Sequence, residues 1–130
     1  MSGADAVRSF IEAFNSGDLD AFVAALDPDI EIHGSRGLRR GLEAARAWAT
    51  RAPGGVQQTI EVEELREAGD RVVALIVRRW HWDEPEHAGE HAGADEMAWL
   101  FELRGGRVAS WRPFEDRAQA LVAAGIDPKP

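Results

Sequence analysis

The chain is expected to fold as an α+β domain, with helices gathered in its first half and an antiparallel sheet in its second. Three observations carry that expectation. Apolar residues recur at i, i+3, i+4 and i+7 until about residue 50, the signature of helices with one buried face. After Pro53-Gly54-Gly55 the apolar period changes to two. The strand-like runs that follow are joined by short Gly-containing turns, so consecutive strands pair as a meander.

Taken in order, Val7, Phe10, Ile11 and Phe14 form one face of a first helix, roughly residues 4–15, and Asn15-Ser16-Gly17 ends it. Asp18 caps a second helix, roughly 18–26, on which Leu19, Phe22, Val23 and Leu26 repeat the spacing. Asp27-Pro28-Asp29 is a turn, Ile30–His33 a short strand, and Gly34 to Gly41 a loop bearing Arg36, Arg39 and Arg40. An Ala-rich third helix, roughly 41–51, stops at Pro53-Gly54-Gly55. Val56, Gln58, Ile60 and Val62 then alternate with polar residues on a half-buried strand. Ala68-Gly69-Asp70 turns into a strand over 71–82, and 95–104 and 107–114 pair across Gly105-Gly106. Asp116 caps a last helix with Ala118, Leu121 and Val122, closed by Gly125.

Length and composition set bounds on function. At 130 residues the chain fits a single domain, 1–130. It has no cysteine, which removes disulfides, thiolate metal sites and thiol nucleophiles. The formal charge of -8 disfavours nucleic acid and anionic membranes as partners. No basic segment precedes an apolar run at the N-terminus, and no apolar stretch approaches the roughly 18 residues of a membrane span. A cytoplasmic location is the expectation. Nucleotide, metal and nucleophile motifs are lacking, so no cofactor and no metal is expected. Glu86-His87-Ala88-Gly89-Glu90-His91 reads as a charged hairpin connection, because Gly89 and Gly93 break the helix that a two-His metal motif needs.

Phe14-Asn15-Ser16-Gly17-Asp18-Leu19-Asp20-Ala21, Leu26-Asp27-Pro28-Asp29-Ile30, Gly41-Leu42-Glu43-Ala44 and the ending from Gly106 through Phe114-Glu115-Asp116-Arg117 to Ala124-Gly125 carry a resemblance. Together they resemble the SnoaL-like branch of the nuclear transport factor 2-like superfamily, over essentially the whole chain. The resemblance implies a cone: a strongly curved antiparallel sheet covered on its concave side by three helices, around a pocket for a small molecule. Relatives of this kind include ketosteroid isomerases, polyketide cyclases, limonene epoxide hydrolases and scytalone dehydratases. On this chain the isomerase general base falls on His33, its phenolic donor on Phe10 and its second oxyanion donor on Ala98. The cyclase acid–base Asp falls on Pro113, and the epoxide hydrolase arrangement of two Asp linked by an Arg has no clear match. Each named activity therefore lacks a required residue.

The resemblance and the alternation together imply a site. His33 is the candidate acid or base, because imidazole titrates near neutral pH; Glu115 is a second candidate. Phe10, Phe14, Val72, Ile76, Arg78, Trp80 and Trp111 are the candidate substrate-binding wall. Each also has a structural reading: His33 bonded to a neighbouring group, Glu115 solvated before the Asp116 cap, Arg78-Arg79 paired with Glu61, Glu63 or Glu102, and the Trp residues as core. With His33 facing the pocket, alternation joined to the geometry the resemblance implies places Val72, Ala74, Ile76, Arg78, Trp80 and Trp82 on that side, with Ala98, Leu100 and Glu102 from the next strand and Ala109, Trp111, Pro113 and Glu115 from the last. It leaves Val73, Leu75, Val77, Trp99, Phe101 and Leu103 on the convex face, where a homodimer would cover them. Two functions are open: binding of a hydrophobic, cyclic small molecule, with cofactor-free isomerase, cyclase or dehydratase chemistry at His33, or a non-catalytic carrier or dimeric interaction module whose cone is filled by Trp.

Overall fold

A computed structural model describes residues 3–34, 37–50, 56–82 and 93–127. Its elements are α1 (Gly3–Ser16), α2 (Leu19–Ala24), β1 (Leu26–Gly34), β2 (Gly37–Arg40), α3 (Leu42–Thr50), β3 (Val56–Ala68), β4 (Arg71–Trp82), β5 (Gly93–Arg104), β6 (Arg107–Phe114) and α4 (Arg117–Ala123). The six strands form one sheet in the order β2-β1-β6-β5-β4-β3. The expected meander β3-β4-β5-β6 is antiparallel throughout.

The first strand departs from expectation. β1 runs parallel to β6, which makes the sheet mixed, and it extends back to Leu26 through Asp27-Pro28-Asp29. Proline has no N–H to give a ladder, and the register with β6 is irregular between Leu26 and Glu31. The Asp29 N–H turns instead to Asp27 Oδ1 at 2.8 Å. The stretch expected as a loop after His33 returns as β2, with Gly37 at φ 106.

The two sheet faces are covered separately. On the concave face, α1, α2 and α3 bury Val7, Phe10, Ile11, Phe22 and Ala45 against Ile30, Ile32, Val72, Ala74, Ile76, Trp99, Phe101 and Trp111. On the outer face, α4 lays Ala120, Leu121 and Ala124 over Val73, Leu75, Ala98 and Leu100, with Phe114 and Ile126 at the margin. Asp116 caps α4 by accepting from the Ala118 and Gln119 N–H groups, as Asp18 caps α2.

This arrangement corrects the faces expected for β5. Val72 stands opposite Phe101 and Ala74 opposite Trp99, so Trp99, Phe101 and Leu103 join the concave core and Ala98 and Leu100 the outer one. The error has a physical cause. Met97 through Phe101 are all buried, because α4 closes the second face, and an unbroken apolar run carries no alternation to fix its parity. It also removes the apolar convex patch from which a homodimer was expected. Val73, Leu75 and Val77 are buried within one chain, and among the described residues the large apolar side chains left exposed are Leu38 and Val122.

Asn15 joins the helical layer to the sheet's edge. Its Nδ2 donates to the Ile60 carbonyl and its Oδ1 accepts from the Ile60 N–H, both at 2.8 Å, as a paired strand residue would. β3 is the last strand of the sheet, so these groups have no strand neighbour. Asn15→Ala is expected to cost about 1–3 kcal/mol, the net worth of two such bonds, read as a lower midpoint in urea.

Candidate ligand-binding site

The concave face is a cluster of aromatic rings contributed by every layer above it. Helix α1 supplies Phe10 and Phe14 one turn apart, α2 supplies Phe22, and α3 supplies Trp48. The sheet supplies Trp99 and Phe101 from β5 and Trp111 from β6, the last two being cross-strand partners. Trp48 lies 4.6 Å from Trp111 between ring centroids and 5.4 Å from Phe14. Trp99 meets Trp111 at 5.2 Å and Phe14 at 5.8 Å, both edge-to-face. These separations and tilts suit the ring quadrupoles. Phe10 closes the inner side against Phe22 and Phe101, whereas Phe14 and Trp48 are only half-buried.

Among the described residues, two buried polar atoms on this face lack partners. The Trp111 residue is 5 % exposed, and its Nε1 is buried with no acceptor among the described residues. Arg78 stands opposite Ile60 on β3 and Asp95 on β5, one row beyond the core pair Ile76 and Met97, and so shares the concave face. Its Nη2 donates to Asp95 Oδ2 at 2.9 Å, while its Nε is buried without a partner. Arg79 faces the other way and pairs with Glu61, one of the expected carboxylates, at 2.7 Å, whereas the cross-strand partner of Arg78 is Asp95, outside the expected set.

The remaining candidates fall in different places. Phe10, Val72, Ile76 and Trp111 lie in the concave core with Phe14 against it, on the side expected of them. His33 does not. Ile32 is fully buried and pairs with Trp111 across β1 and β6, so the next residue, His33, points to the outer face. There its Nε2 lies 3.5 Å from Glu31 Oε1, with 26% of the side chain exposed. Burial decides the parity, because Ile30 and Ile32 take the closed core and leave Glu31 and His33 to the wetter face. Glu115 is exposed beside the α4 cap. The Trp80 and Trp82 side chains and the 86–92 connection lie outside the described residues. Ala98, the position matched to an oxyanion donor, is on the outer face, and Pro113 sits opposite Trp99.

Sequence reasoning missed Trp48, Trp99 and Asp95. Trp48 is the one aromatic residue in an Ala-rich helix, a signal that was present. Asp95 could be paired with Arg78 only once the β4–β5 register was known. Among the described residues, no group of three or more His, Asp or Glu side chains converges as a metal site.

The described chain is similar to several solved structures across almost its whole length. An NTF2-like protein of unknown function from Burkholderia pseudomallei matches with a TM-score of 0.75 and 23% identity, covering 94% of this chain and 97% of that one. An LEH-like epoxide hydrolase from M. tuberculosis matches with a TM-score of 0.71 and 21% identity, covering 94% and 90%. A protein of ketosteroid isomerase-like fold from Catenulispora acidiphila, in complex with trimethylamine, matches with a TM-score of 0.72 and 19% identity, covering 96% and 97%. At these identities the likeness is one of fold. No curated protein matches the chain in sequence. The model of the SnoaL-like domain matches residues 7–111, and the chain belongs to that family.

Proposed function

We propose that the chain binds a hydrophobic, ring-containing small molecule on its concave face, with the Trp111 indole N–H as polar anchor. The observation that carries this is the buried Trp111 Nε1 without an acceptor, inside a wall of aromatic rings. A buried donor left unpaired costs about 1–3 kcal/mol, which an acceptor on a ligand would recover. Phe14 and Trp48, half-buried beside it, offer flat apolar faces of the kind that line small-molecule sites. The names of two fold relatives, an epoxide hydrolase and a ketosteroid isomerase-like protein, fit a ligand of this class. Binding without catalysis is the form the geometry supports. His33 points to the outer face beside Glu31, and Glu115 is exposed, so neither is aimed at the ring cluster.

The close ring packing favours one other reading, an interaction module whose cone is filled by its own aromatic side chains. Native mass spectrometry of freshly purified protein separates the two. A co-purified small-molecule adduct is expected on the wild type and a diminished one on Trp111→Phe, which keeps a ring and removes the donor. The affinity lost with that bond is about tenfold, the equivalent of about 1.4 kcal/mol. A protein free of adduct, and unresponsive to ring compounds in both forms, would leave the filled-cone module in its place.

A further inference from the structure

We propose that the Arg78–Asp95 pair sets the charge specificity of this site, so that it takes ligands with a neutral oxygen acceptor and rejects carboxylates. The inference rests on the ligand-binding reading above and adds to it the chemical class of the group at Arg78. Nε and Nη2 of a guanidinium lie along one edge and point the same way, a fork that fits both oxygens of a carboxylate. Here Asp95 takes only Nη2, at 2.9 Å, and the Nε beside it is buried and unpartnered. The pair is therefore balanced in charge but not in hydrogen bonding. What it lacks is an acceptor, not an anion.

A carbonyl, ether or hydroxyl oxygen on the ligand satisfies Nε and leaves the Arg78–Asp95 bond in place. A ligand carboxylate at the same point either sits beside the Asp95 carboxylate, as like charges held close together, or must displace it. Both routes are unfavourable. The groups opposite Arg78 on the neighbouring strands are Ile60 and Asp95, and Arg79 with Glu61 lies on the other face, so Asp95 is the charge placed to decide. Removing that charge while keeping the side chain's shape should turn the fork toward anions.

The test is calorimetric titration of three probes with one naphthalene skeleton: 2-acetylnaphthalene, 2-naphthoate and 2-isopropylnaphthalene. The Arg78 and Asp95 side chains are 39% and 53% exposed, so solvent tempers the effect, and wild-type protein should bind the ketone about threefold or more tightly than the carboxylate. Asp95→Asn should gain about threefold for 2-naphthoate and change by less than about twofold for the ketone. Near-equal binding of ketone and naphthoate by the wild type, or an Asp95→Asn variant with no gain for naphthoate, overturns the charge-specificity inference while the site itself stands. If the wild type binds none of the three probes, the ligand-binding reading falls and this inference falls with it.

Discussion

Phe10→Ala is expected to lower the stability of the chain by about 3–5 kcal/mol, the range for truncating a buried aromatic side chain. Phe10 is fully buried and touches rings from every layer: Phe22 at 4.8 Å, Phe101 at 5.1 Å, Trp99 at 6.3 Å and Trp48 at 6.4 Å between centroids. Those neighbours belong to α2, α3 and β5, which cannot all move inward to fill the space. Rigid surroundings push the cost toward the upper end, because a cavity that does not collapse retains its full penalty. Against a typical total of about 5–15 kcal/mol, the loss should bring the thermal midpoint down by more than about 10 °C. Phe10→Leu, which refills part of the volume, should recover half or more of that loss. A change below about 1 kcal/mol for Phe10→Ala in urea titration would contradict the packing described.

Arg117→Ala is expected to cost about 2–4 kcal/mol and to loosen the outer face, because one guanidinium holds three partners there. Its Nη2 donates to the Ile76 carbonyl at 2.8 Å and its Nε to the Met97 carbonyl at 3.2 Å, and it pairs with Glu63. Glu63 stands where the β3–β4 register shifts, between Val62 and Glu64, so Arg117 ties the first turn of α4 to a strand irregularity as well as to two strands. The apolar side chains that α4 covers include Val73, Ala98 and Leu100. With Arg117 gone, α4 keeps its Asp116 cap, an Arg71 bond to the Ala123 carbonyl at 3.4 Å and the apolar contacts of Ala120, Leu121 and Ala124, so it should loosen at its first turn rather than detach. The expected signs are a lower urea midpoint and increased fluorescence of a hydrophobic dye before global unfolding. Arg117→Lys should rescue little, since an ammonium cannot reproduce the fork. A stable Arg117→Ala variant with unchanged dye binding would show that apolar contact alone seats α4.

How much of this was legible in the sequence differs from element to element. The helices and the meander were, because Val7, Phe10, Ile11 and Phe14 keep a clean helical period and Gly69, Gly105 and Gly106 mark turns that demand positive φ. The parallel pairing of β1 with β6 was not, since nothing local in Ile30–His33 states which strand it will join. Facing was not fixed by alternation on β4 or β5, since Val72 through Val77 and Met97 through Phe101 are buried on both faces. Val72 and Ile76 fell on the expected side, while β5, buried on both faces, was read in the wrong parity. His33 was placed by family position rather than by burial, and the two neighbouring isoleucines outweighed it. The Trp111 donor and the open Arg78 Nε depend on what surrounds single atoms, which residue spacing does not encode.

The central claim, a ligand on the concave face anchored by Trp111, is open to one direct measurement. The chain has five tryptophans, so a ¹⁵N-labelled sample gives at most five indole N–H signals, and Trp111→Phe identifies the one that belongs to Trp111. Titrating a ring probe with two neutral oxygen acceptors, 6-methoxy-2-acetylnaphthalene, into the wild type should move that signal downfield, as the indole N–H gains an acceptor separate from the one at Arg78, with smaller ring-current shifts at Trp48 and Trp99. Saturable binding that leaves the Trp111 indole signal in place, or no change in any indole signal at the limit of probe solubility, would contradict it.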